Sequence, residues 1–82
     1  MMTAQTTDLL IAEFCAAAEI SEEEGVQRLG LLTPGQVGQM AEMAADLVVR
    51  NIVAEVPDPV AAAHRRVGRE AGLAVRAALD AR

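Results

Sequence analysis

The chain has no Trp, Tyr or Lys, one aromatic residue, Phe14, and one cysteine, Cys15. Each scarcity excludes something. A lone cysteine rules out an intramolecular disulfide and a multi-cysteine metal site. No uncharged apolar run reaches the roughly 18 residues of a membrane-spanning helix. The N-terminus lacks a basic segment and a small-residue cleavage pattern, so no signal peptide is expected. The plain expectation is a soluble, cytoplasmic chain with no membrane partner. Gly-rich phosphate loops are missing too. Gly35 and Gly38 fall at a helix start and Gly68 and Gly72 inside a helix, without the strand such loops need. His64 is the only histidine and has no HxxxH, HxxE or cysteine companion. Nor does it have the nucleophile and orienting acid that general-base work requires. No catalytic, cofactor-binding or metal residues are expected, no cofactor is expected, and His64 reads as a helix-surface or boundary residue.

What is present is a great deal of small apolar side chain. Of 82 residues, 52% are hydrophobic, so the core must come from Leu, Val, Ile, Met and many Ala. Such side chains each bury little area, at roughly 25 cal/mol per Å². A chain of this length is near the lower limit for one self-sufficient core. Its helices must therefore pack very closely or gain area by association. Net charge is −5, unevenly placed. Residues 1–56 sum to −7 and residues 57–82 to +2. All seven basic residues are Arg, which with the heavy Ala usage suggests a GC-rich genome, such as that of an actinobacterium or one of its phages.

Punctuation along the chain predicts four helices, at about 7–19, 21–29, 33–56 and 59–80, after a disordered tail at 1–6. Thr7 is a fair N-cap, followed by an apolar face of Leu10, Ile11, Phe14, Ala17 and Ala18, with Cys15 beside it as a small buried hydrophobe. Ser21 and Glu24 read as a capping box, and Glu24 with Arg28 as an i,i+4 ion pair. Gly30 reads as the left-handed residue that ends this second helix. Thr33-Pro34-Gly35-Gln36 is a second capping box with Pro at N1. It opens the most apolar helix, whose inward face is expected to hold Val37, Met40, Ala41, Ala44, Val48 and Ile52. Met43, Leu47, Val49 and Val53 widen that face until the helix is apolar nearly all round, so it must be covered on most sides. It reads as the spine. Pro57-Asp58-Pro59 stops it and starts the last helix. There Gly68 and Gly72, each costing about 1 kcal/mol against Ala, imply close backbone approach by a neighbour.

Val26-Gln27-Arg28-Leu29-Gly30-Leu31-Leu32-Thr33-Pro34-Gly35-Gln36-Val37 resembles the two-helix core of helix-turn-helix DNA-binding proteins. Gly30, Leu31, Thr33 and Val37 match that pattern; Leu32 is one residue extra and Val26 replaces the usual small residue. The resemblance implies Gln36 and Gln39 directed at base edges, where Gln pairs with adenine. Charge opposes it. The presumed recognition helix carries Glu42 and Asp46 and no base before Arg50, whereas affinity for DNA comes mainly from Lys and Arg on phosphate.

The expectation is an all-α, compact four-helix domain spanning 1–82, with two short N-terminal helices packed on a long antiparallel helical hairpin. Its expected function is non-catalytic: a protein–protein interaction module that binds itself, as a homodimer or higher, another protein, or both. Leu47, Val49, Val53 and Val56 are the expected association residues. Arg65, Arg66, Arg69 and Arg76 are the expected electrostatic contacts, and Gln36 and Gln39 belong only to the DNA-binding alternative.

Overall fold

Capping residues and apolar periodicity produce four helices in the computed structural model, which describes residues 4–81: α1 Ala4–Ala18, α2 Glu22–Gly30, α3 Pro34–Val53 and α4 Pro59–Asp80. No strand occurs among the described residues, and none of the helices is long and apolar enough to cross a membrane. The longest dimension is 40 Å and the other two are 23 Å.

The local signals act through identifiable bonds. At α3 the capping box is complete: the Gln36 N–H donates to Thr33 Oγ1 (3.2 Å) and the Thr33 N–H to Gln36 Oε1 (2.9 Å). At α2 only half of it forms. The Glu24 N–H donates to Ser21 Oγ, but the Glu24 carboxylate accepts from Arg28 Nε at 3.3 Å. The i,i+4 partner wins because a charged donor outbids a neutral backbone N–H. Asp58 caps α4 by accepting from the Ala61 N–H, with Pro59 in the first turn.

Several ends differ from the sequence reading. Ala4–Thr6, expected in a tail, already belong to α1, so Thr7 lies inside the helix rather than at its cap; Met1–Thr3 lie outside the described residues. Gly30 is helical and not left-handed. Tight turns from Leu31 to Arg28 and from Leu32 to Leu29 close α2 instead. The left-handed positions among the described residues are Glu19 (φ 57°), Glu55 (φ 58°) and the α4 cap Asp58 (φ 48°). The first two each sit in a Schellman turn. Ile20 and Glu19 bond back to Cys15 and Ala16, and Val56 and Glu55 bond back to Asn51 and Ile52. The second turn ends α3 at Val53, three residues short of the expected Val56.

Packing centres on α4. Its contact with α1 is the most extensive in the molecule, followed by that with α3, while α2 touches α1. Gly68 and Gly72 make the first contact possible. A Cβ at Gly68 would overlap the Leu10 carbonyl, and one at Gly72 would strike the Phe14 carbonyl and come within 2.8 Å of the Ala17 Cβ. Backbone meets backbone there, as the two glycines imply. Leu10, Ala44, Leu47, Ala63 and Val67 form the core cluster, flanked by Leu29, Met40 and Val48. Asn51 ties the corner, its Nδ2 donating to the Pro59 carbonyl at 3.0 Å.

Two expectations change here. The spine is α4 rather than α3: Ala61, Ala63, His64, Val67, Gly68 and Gly72 are buried in α4, but only Ala44 and Leu47 in α3. The inward face of α3 is also turned from the expected one. Met40, Ala44 and Leu47 point in; Val37, Ala41 and Ile52 do not.

Candidate association surface

The turn of α3 decides what it leaves outside. Val49, Ile52 and Val53 are 61%, 60% and 79% exposed, on consecutive turns of the C-terminal half, with Ala45 exposed one turn earlier. Side chains of this size are placed in water singly on most proteins; a run of them is an apolar patch of the kind that a protein, a ligand or a membrane surface can cover. Asp46 and Arg50 form an ion pair of 3.1 Å along one edge of the run. Of the four residues expected here, Val49 and Val53 are on the surface. Val56 is half-buried beyond the helix end, in the Schellman turn. Leu47 is removed from the set: only 9% exposed, it belongs to the core cluster. Ile52 takes its place. Helix periodicity could not locate it, because a helix apolar nearly all round has no distinctive stripe.

The four arginines do not form one group. Arg65, Arg66 and Arg69 line an open groove of about 590 Å³ with Glu13 and Leu73. Arg66 is paired with Glu70 at 3.4 Å, and Arg65 and Arg69 are exposed. Arg76 stands apart and is structural. It binds Asp80 at 2.7 Å and donates to the Ala18 carbonyl at the end of α1, at 3.5 Å. The Asp80 hydrogen bond, aided by the charges of Asp80 and Glu19, raises its pKa against some desolvation.

His64 is not at the surface. It is 4% exposed, and its Nδ1 lies 2.8 Å from the Val60 carbonyl, to which it donates. A backbone bond within its own helix lets the ring be buried at little cost. No group of three or more His, Cys, Asp or Glu able to hold a metal occurs among the described residues. Cys15 is buried against Gly25, where a Cβ would overlap its Sγ. Burial, and then the charge of Glu22, pushes its thiol pKa up, away from the reactive thiolate.

In the segment resembling a helix-turn-helix, Gln39 is exposed, while the Gln36 carbonyl oxygen is committed to the Thr33 cap. Among the described residues the backbones of α2 and α3 do not approach each other closely, although Leu29 of α2 reaches the core beside Met40 and Ala44 of α3. The chain matches no protein family, and no curated protein or solved structure resembles it.

Proposed function

We propose that the chain is a small, non-catalytic interaction module that associates with a polypeptide, itself first, through the outer face of α3. The single observation that carries this reading is the exposed run of Val49, Ile52 and Val53 in a chain whose core is built of small residues. Covering that run supplies the apolar area that an Ala-rich core of this length lacks. In this reading α3 and α4 form an antiparallel hairpin that holds the face rigid, pinned at the corner by Asn51 on Pro59. Arg65, Arg66 and Arg69 steer acidic surfaces toward the particle, in keeping with the −7 balance of residues 1–56.

Molar mass from light scattering with refractive-index detection tests the proposal directly, since the chain lacks Trp and Tyr for absorbance. A mass above that of one chain is expected. Replacing both Val49→Glu and Val53→Glu should give a monomer with unchanged helical circular dichroism. An unaltered mass for that double variant would sink the assignment.

A further inference from the structure

We infer that the partner of this face is a second copy of the chain, laid antiparallel across it about a two-fold axis passing between the levels of Val48 and Val49. The inference rests on reading the α3 face as a self-association surface and adds the direction, axis and charge pairing of the two copies.

Charge placement selects the arrangement. With about 100° between successive residues, Val49 lies at the centre of the outer face. Asp46 and Arg50 occupy one edge, with side chains 61% and 73% exposed. Ala45 and Ile52 flank Val49 on the other side. A two-fold axis relating antiparallel helices lays each edge against its own copy with the residue order reversed. About that axis Asp46 comes within one residue's rise, about 1.5 Å, of level with Arg50 of the second copy, and Arg50 likewise with its Asp46. The two ion pairs now made within the helices, one in each copy, can be exchanged for two made between them. On the opposite flank, small Ala45 comes level with larger Ile52, so the surfaces interdigitate. A parallel pair would set the charged edge against the edge bearing Ala41 and Val48, which offers Asp46 and Arg50 no charge. Flanking charges of this kind set partner and direction in paired helices. A face complementary to its own reversed copy is matched by a second copy without a separate partner.

Charge reversal tests the geometry. Asp46→Arg alone, and Arg50→Asp alone, place like charges opposite each other and should weaken the dimer at least about tenfold. The double variant Asp46→Arg/Arg50→Asp restores opposite charges both within and between helices. It should return to within a few-fold of the native dissociation constant. Both positions are exposed, and far-UV circular dichroism verifies that each variant is folded. A native dimer that Val49→Glu disrupts but neither single reversal weakens would overturn the antiparallel pairing while leaving the association face standing. So would single reversals that the double variant fails to rescue. A native chain that stays monomeric at millimolar concentration would overturn both.

Discussion

The α1–α4 crossing and the outer face of α3 are made from the same alphabet of small and branched apolar residues, yet one is closed and the other open. At the crossing, Gly68 and Gly72 bring α4 onto the backbone of α1 at Leu10 and Phe14, and Val67 is left 2% exposed. On α3, larger side chains face water at Val49, Ile52 and Val53. Burial here follows how closely two backbones can approach, not how apolar a helix is. Dispersion contacts are lost steeply with separation, so a helix with glycines in register recruits neighbours more effectively than a bulkier one without them. The cost of Gly in a helix is offset at the crossing by contacts that no other residue would permit.

Substitution can invert each half of this contrast. The largest effect is expected at Gly68. Gly68→Val must push α1 away from α4 and should destabilise the fold by about 3 kcal/mol, read from urea unfolding followed at 222 nm. In α3, Gly38 faces open space, and Gly38→Ala should instead stabilise by about 0.5–1 kcal/mol. A similar response at both glycines would refute the distinction.

Valines divide the same way. Val67→Ala in the core should cost about 2 kcal/mol. Val53→Ala should leave the unfolding of a dilute, dissociated sample within about 0.5 kcal/mol of native, while weakening association. Glu19→Gly and Glu55→Gly each relieve a left-handed residue and should add about 0.5–1 kcal/mol. Thermal midpoints of the two single variants and their combination would show whether the gains add.

The smallest effect is that of pH on Cys15. Its folded pKa is raised, so the folded state prefers the neutral thiol. Stability is full below the ordinary value of 9.0 and falls as pH climbs from there through the folded value. Cys15→Ala should remove this alkaline loss from the urea midpoints, and in the native protein the buried thiol should react slowly with thiol reagents until it unfolds.

Much of the helical punctuation was legible. Thr33 with Gln36, Ser21 with Glu24 and Asp58 with Pro59 each announce a helix start within four residues, and each acts through a bond of that span. The Gly68/Gly72 spacing likewise announced a close crossing. The end of α1 fell within a residue of the expected one, but the left-handed residues that make the stops were hidden. Glu19 and Glu55 carry none of the glycine signature of a left-handed stop; the turns form because Ile20 and Val56 follow and the orphan carbonyls of Cys15 and Asn51 accept their N–H groups. Gly30 has the signature and is not used that way.

The candidate surface was half legible for a related reason. Val49 and Val53 could be proposed because α3 has more apolar circumference than one neighbour covers. Leu47 and Ile52 were exchanged because the choice of inward face is a sum over contacts with residues far away in sequence. By itself, the sequence determined four helices, most of their starts, the exclusion of an intramolecular disulfide, the acidic first half and the need for close packing. Those properties depend on composition or on bonds between residues a few places apart. Only the tertiary structure decided that α4 is the centre, that His64 is buried, that Arg76 holds the end of α1, and which side of α3 meets water. Each of these depends on which distant backbone comes within contact distance, and no local pattern encodes that.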